Sequence, residues 1–175
     1  GAEVCWMAGP VKGAGRITRL ALLTAIALTI FLAEAQLPAL TAVPGVKLGL
    51  ANIVTVYAMF ALGPGDALLV LSGRVFLGAV FSGQMMTLIY SAAGGFLSWC
   101  ILSLLRRLLT GEQIWLASPV AAVFHNLGQL LAAAAVLRSW AVMAWLPYLI
   151  IAAILAGLFT GVAAQALLRR LSGLS

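Results

Sequence analysis

Long apolar runs, broken at short intervals by glycine, proline and charged residues, dominate the chain. The breaks divide it into apolar segments at about 18–40, 47–63, 65–82, 85–108, 116–137 and 143–168. A helix needs roughly 20 apolar residues to cross a bilayer core about 30 Å thick. The runs are continuous and lack the alternation of barrel strands. The pattern therefore predicts an all-α, polytopic membrane bundle of about six transmembrane helices.

Composition strengthens this prediction. The 175 residues are 64% apolar and 8% charged, whereas a soluble domain carries about 25% charged residues. We expect a single transmembrane domain over residues 18–170, with cytoplasmic tails at 1–17 and 171–175. The start of the chain imitates a secretory signal, because basic residues precede an apolar run that ends in Ala33-Glu34-Ala35. That run continues through Leu40, so we interpret it as the first transmembrane helix.

Basic residues predict the orientation of the bundle. The formal net charge is +6, but these residues are scattered at segment ends and form no single patch, which argues against a nucleic-acid partner. With a cytoplasmic N-terminus, Lys47 and Arg138 fall outside. The residues that then fall inside are Lys12, Arg16, Arg19, Arg106, Arg107, Arg169 and Arg170. We therefore expect a multi-pass protein of the bacterial cell membrane with both termini cytoplasmic.

Polar residues at membrane depth are the candidates for function, because a central charge costs about 2.5–3.5 kcal/mol even on insertion scales. Under the predicted topology they gather in the middle and outer half of the bundle: Glu34, Lys47, Asn52, Arg74, His125, Asn126 and Gln129. One interpretation is that they pair with one another and only specify packing. We favour a polar, outward-opening pocket for a solute. Lys47 and Arg74 against the single Glu34 suit a ligand with an anionic portion.

Small residues on the first helix suggest a second surface. On a helical wheel, Ala21 and Ala25 lie nearly opposite Glu34. If Glu34 faces the pocket, these alanines face outward, where small residues permit close approach by another helix. Ordinary lipid-facing surface is the alternative. Gly157 and Gly161 have the same spacing and are similarly ambiguous, since they also suit packing within the bundle.

Motifs for catalysis, phosphate binding and metal binding are missing from the sequence. Cys5 and Cys100 belong to no CxxC or Cys/His cluster, and there is no Walker loop, HExxH or DDxxD-like motif. A multi-carboxylate magnesium site of the prenyl-diphosphate synthase type cannot be assembled, because the only acidic residues are Glu3, Glu34, Asp66 and Glu112. We expect no enzymatic activity, no cofactor, no disulfide and no metal site.

Two strings carry a family resemblance: PGVKLGLAN at 44–52 and HNLGQ at 125–129. Together with Leu62-Gly63-Pro64, Arg74 and the segment 90–95, they resemble the Gx transporter family, also called heptaprenyl diphosphate synthase component I. The resemblance extends from about residue 19 to 161. This family is similar to the substrate-binding S components of energy-coupling factor transporters, which are six-helix membrane proteins.

The resemblance implies a substrate-binding subunit of a nutrient or cofactor-precursor uptake transporter. Its solute would have an anionic or isoprenoid portion and would be captured from the outer side. A membrane coupling protein and ATPases would drive transport, and Ala21 and Ala25 match the AxxxA stripe that contacts the coupling protein. The alternative is a non-catalytic membrane subunit with prenyl synthase or redox partners, associated with prenyl diphosphate and quinone metabolism or with electron transfer.

Overall fold

The computed structural model describes residues 13–36, 49–83, 85–109 and 113–172. Within these ranges the regular structure is entirely helical. It comprises α1 (Ala14–Ala35), α2 (Asn52–Ala61), α3 (Pro64–Ser82), α4 (Met85–Leu108), α5 (Ile114–Leu137) and α6 (Leu146–Ser172), with a 3-10 helix (Trp140–Trp145) before α6. This confirms the predicted all-α class and the approximate number of helices.

The helices differ in how far they reach across a membrane. Five helical stretches are long and apolar enough to cross: α1, α3, α4, α5, and Trp140–Arg170, which includes most of α6. The chain is thus a multi-pass membrane protein. By contrast, α2 has 10 residues and rises only about 15 Å. The sequence predicted a longer segment from 47 to 63. Gly49 has a φ of +80°, and this left-handed conformation delays the helix start to Asn52.

Glycine and proline also make the sharp break between α2 and α3. Gly63 has a φ of +113°, a conformation that side-chain-bearing residues rarely adopt. Pro64 then occupies the first position of α3, where its missing N–H is no loss. The break lies where the sequence predicted it.

Contacts between helix ends show how the chain runs back and forth. Arg16 Nε donates to Asp66 Oδ1 at 3.0 Å, which joins the starts of α1 and α3. Trp99 Nε1 donates to the Pro64 carbonyl at 2.9 Å, which places the later part of α4 beside the start of α3. The short helix α2 therefore returns the chain to the end of the bundle from which α1 departs.

This alternation places the starts of α1, α3 and α5 at one end of the bundle, with the ends of α2, α4 and α6. We call it the basic end and the opposite one the far end. Among the described residues, Arg138 lies at the far end, whereas the basic end carries Arg16, Arg19, Arg106, Arg107, Arg169 and Arg170. The asymmetry matches the distribution used to predict orientation. That the basic end is cytoplasmic stays a prediction.

Glycines bring α5 into close contact with α4 and α6. A Cβ built on Gly128 would lie 2.8 Å from Gly94 Cα in α4. On the other side of α5, a Cβ on Gly157 would clash with Pro119 Cα, and one on Gly161 would lie 2.8 Å from the Trp115 carbonyl oxygen. Gly157 and Gly161 therefore pack within the bundle, which was one of the interpretations left open by their spacing.

Candidate functional site

The start of α2 lies beside the end of α1, where a carboxylate fixes it. Glu34 accepts hydrogen bonds from the backbone N–H groups of Gly49 at 2.8 Å and Leu50 at 3.0 Å. The Glu34 side chain is buried. Free N–H groups at a helix start carry partial positive charge, so a carboxylate there is stabilising. Glu34 therefore holds the beginning of α2 in place from α1.

His125 of α5 packs against the same turn. A Cβ on Gly49 would lie 2.9 Å from His125 Cδ2, so glycine is required here both for space and for its positive φ. Gln129 lies one helical turn further along α5, and its Nε2 is 2.9 Å from His125 Nε2. This confirms that the two side chains share a face. A Cβ on Gly94 of α4 would clash with both residues.

Arg74 of α3 is the charged residue at the centre of the bundle, and only 2% of it is exposed. Its Cζ lies 5.9 Å from the centroid of the Phe31 ring of α1, within cation–π range. It also interacts electrostatically with Glu34 and His125. Its Nε and Nη2 are buried and have no hydrogen-bond partner.

The first turns of α2 supply two more groups with unused hydrogen-bonding capacity. Asn52 Nδ2 donates to Ser98 Oγ of α4 at 3.0 Å, but Asn52 Oδ1 has no partner. Thr55, three residues later on the same side of the helix, is fully buried, and its Oγ1 is likewise without a partner. Leaving a buried polar group unsatisfied costs about 1–3 kcal/mol.

We call this group of buried residues the polar centre: Glu34, Asn52, Thr55, Arg74, His125 and Gln129. Glu34 and His125 meet at the Gly49 turn, and Gln129 contacts His125, while Asn52 follows the same turn at the start of α2. All of these, with Arg74, are site residues predicted from the sequence. Thr55 was missed, as was the supporting Ser98. Hydroxyl residues are common in membrane helices, so neither stands out by type. Thr55 could have been found from its position alone, because it follows Asn52 by one helical turn.

Two of the predicted site residues are not brought into this group. Asn126 faces α6, where its Nδ2 donates to the Leu149 carbonyl at 3.2 Å. It therefore belongs to the interface between α5 and α6, although its Oδ1 has no partner. Lys47 lies outside the described residues, so its predicted role in the site stays a prediction.

The alanines predicted to bind a partner lie on the outer surface of α1. Ala21 and Ala25 are both exposed, as expected for a stripe opposite Glu34. Thr24, which lies between them in the sequence, is turned towards α3, where its Cγ2 would lie 3.0 Å from a Cβ on Gly73. The exposed stripe is therefore narrow.

Comparison with known families identifies the lineage of the chain. A family model described as heptaprenyl diphosphate synthase component I matches residues 23–167. The chain belongs to this family. The heptaprenyl diphosphate synthase component I match begins within α1, ends within α6 and contains the whole polar centre. It confirms the resemblance found in the sequence. Neither the curated proteins nor the solved structures gave a match.

Proposed function

We propose that this chain is the substrate-binding membrane subunit of an uptake transporter for a nutrient or cofactor precursor, similar to an S component. The observation that carries the proposal is the unused hydrogen-bonding capacity of Arg74, Asn52 and Thr55, all at least nine-tenths buried. Buried polar groups that serve only packing are normally hydrogen-bonded. A bound solute with complementary groups would satisfy them.

The shape of the bundle supports a site at this position. In many transporters, discontinuous helices begin near the bilayer midplane and place polar groups around a substrate. Here α2 is about half the length of a full crossing, and the turn just before it contacts Glu34 and His125 through Gly49. With the basic end in the cytoplasm, the solute enters from the far end, which is the outer side.

Transport requires other chains in this proposal. The sequence has no phosphate-binding loop, so ATP-driven movement depends on partner ATPases and a membrane coupling protein. We assign the docking of the coupling protein to the exposed alanines Ala21 and Ala25 of α1. In this proposal the chain itself performs no chemistry, because the Glu34 carboxylate is engaged by the backbone N–H groups of Gly49 and Leu50, and His125 Nε2 is engaged by Gln129.

Mass spectrometry of the natively extracted protein tests solute capture. The wild-type chain should carry a small molecule of defined mass at near-stoichiometric amount, and adding that molecule back should raise the Tm. Asn52→Ala should reduce the bound fraction at least about tenfold, since it removes a polar contact and leaves a gap. Thr18→Ala, at an exposed position near the start of α1, is the control. A wild-type chain without any bound small molecule would count against the proposal.

Partner docking has its own experiment. Ala21→Leu combined with Ala25→Leu places two bulky side chains on the exposed stripe, and the coupling protein and ATPases should then no longer co-purify. Ala92→Leu combined with Ala166→Leu alters two exposed alanines on α4 and α6 and should leave co-purification intact. Equal recovery of the partners with both double variants would exclude Ala21 and Ala25 as the docking surface.

The family description supports a second candidate function. A component of a heptaprenyl diphosphate synthase would act as a non-catalytic membrane subunit that holds a soluble synthase, or a redox partner, at the membrane. Native co-purification distinguishes the two candidates. A coupling protein with ATPases supports transport, whereas a soluble synthase or redox protein without ATPases supports the scaffold.

A further inference from the structure

We infer that the solute carries a carboxylate or phosphate group and that Arg74 binds this group through Nε and Nη2. The inference rests on the proposed function. The N–H bonds of Nε and Nη2 point in the same direction along one edge of the planar guanidinium, and this edge fits two oxygens of an oxyanion. These two nitrogens are the buried Arg74 atoms that lack a partner. The unused capacity of Arg74 is therefore one complete anion-binding edge.

Arg16 shows the same edge with an anion in place. Its Nε and Nη2 both donate to Asp66 Oδ1, and its side chain is half exposed. Water can hydrate an exposed arginine whether or not an acid lies beside it, so a surface pair of this kind contributes little. Arg74 is 2% exposed and has no such access. An oxyanion at its free edge would supply the hydrogen bonds that none of the described residues supplies there.

The other positively polarised feature of the polar centre is already neutralised. A helix start attracts anions, but the N–H groups of Gly49 and Leu50 donate to the Glu34 carboxylate. Glu34 thus occupies the start of α2, while the Nε and Nη2 edge of Arg74 stays unbonded. His125 Nδ1 also lacks a partner, but it offers a single N–H bond, whereas Arg74 offers a charged edge with two. Arg74 is therefore the anchor for an anionic group.

Asn52 and Thr55 indicate what accompanies the anionic group. Asn52 Oδ1 only accepts hydrogen bonds, and Thr55 Oγ1 both accepts and donates. Both are without a partner. Because they lie one turn apart on α2, a solute that satisfies them carries an N–H or O–H group as well as its acid. We expect a hydroxy or amino acid, or a phosphate ester with a free hydroxyl.

Thermal unfolding of the full chain in detergent, with acetate, inorganic phosphate or acetamide at constant ionic strength, tests the anion assignment. At least one of the two anions should raise the wild-type Tm by about 2 °C or more. The neutral acetamide should have no effect. The responses to acetate and to phosphate distinguish a carboxylate from a phosphate. This comparison uses only the wild type, so it does not depend on a variant that folds.

Variants then assign the anion response to Arg74. Arg74→Gln should abolish the Tm rise, and Arg74→Lys should retain only part of it, because an ammonium cannot form the two parallel bonds of the guanidinium edge. Arg170→Gln makes the same chemical change at an exposed position of α6 and should respond like the wild type. Gel filtration identifies variants that remain monodisperse.

Several results would overturn the inference. An equal response of the wild type to acetamide, no response to either anion, or an intact response in monodisperse Arg74→Gln would each do so. If the small molecule recovered by mass spectrometry is neutral, the inference fails while solute capture stands. If no molecule is recovered and neither anion raises the Tm, both the inference and the proposed function fail.

Discussion

Two regions of the bundle contain buried polar side chains, and they differ in how many of those side chains are satisfied. In the seam between α5 and α6, Ser118 Oγ and Thr160 Oγ1 lie 2.9 Å apart, and Gln165 Oε1 accepts from the backbone N–H of Trp115 at 3.2 Å. Asn126 is the exception there, because its Nδ2 donates to the Leu149 carbonyl while its Oδ1 has no partner. In the polar centre, Arg74 and Thr55 keep buried groups without partners. Polarity at membrane depth therefore does not by itself mark a binding site, and neither does a single unpaired atom such as Asn126 Oδ1. Several unpaired groups together with a buried arginine do.

The difference follows from how closely the helices approach. Gly157 and Gly161 let α6 lie against the backbone of α5, so the short side chains of Ser118 and Thr160 meet directly. Close packing of this kind is the usual device for joining helices in lipid. At the polar centre, the short helix α2 and the long side chain of Arg74 provide no such matched pairing. The seam stabilises the bundle, whereas the polar centre contains polar groups that are free to bind a solute.

The largest effect is expected from Glu34→Gln. The substitution removes the charge that stabilises the start of α2 and leaves the buried Arg74 without its nearby acid, so the free energy of unfolding should fall by about 3 kcal/mol. Denaturant titration in detergent measures it. Asp66→Asn is the matched control, because it breaks a surface pair with Arg16 that water screens, so it should cost much less. Equal losses would mean that Glu34 has no special structural role.

Gly157→Leu should have the next largest effect, because it forces α5 and α6 apart. Its Cβ would clash with backbone atoms of Pro119, which cannot rotate away, so we expect a loss of about 1–3 kcal/mol or more. Gly65→Leu is the control, since a Cβ there meets nothing within 4 Å. A Gly157→Leu chain as stable as the Gly65→Leu chain would show that the seam tolerates separation.

Ser118→Ala should have a smaller effect in the same direction. It deletes one member of the hydrogen bond to Thr160, and such bonds between membrane helices contribute about 0.6 kcal/mol on average. The same titration measures the loss. Ser82→Ala is the control, because Ser82 Oγ donates within its own helix, to the Ala79 carbonyl at 3.3 Å. If the two variants lose the same stability, the hydrogen bond between Ser118 and Thr160 does not stabilise the seam.

Thr55→Val should have the smallest effect and the opposite sign. In the solute-free protein it replaces an unsatisfied hydroxyl with a methyl group of similar size, so stability should stay unchanged or rise by up to about 1 kcal/mol. Thr24→Val is the control, because Thr24 Oγ1 bonds the Leu20 carbonyl at 2.8 Å and gains nothing from the change. A clear loss of stability with Thr55→Val would mean that the hydroxyl serves packing, as the seam hydroxyls do, and does not belong to a binding site.

Much of the architecture could be predicted from the residues alone. Apolar runs gave the helices, Gly63-Pro64 gave the break before α3, and the arginines gave the asymmetry between the two ends. The length of α2 was overestimated, because its apolar run begins before Asn52 and hydropathy does not register the positive φ of Gly49. Among the site residues, Glu34, Asn52, Arg74, His125 and Gln129 were found because each is rare in a membrane helix. Thr55 was missed because threonine is common in membrane helices.

The sequence by itself determined that this chain is a helical membrane protein, which residues are polar at depth, and where the helices break, since these depend on local composition and backbone preference. Only the tertiary structure decided which polar groups find partners. Asn126 and Gln129 both lie in the HNLGQ string of α5. Asn126 nevertheless donates a hydrogen bond to α6, while Gln129 contacts His125 beside α4. A hydrogen bond requires two groups to meet within about 3 Å, and helices distant in sequence bring those groups together.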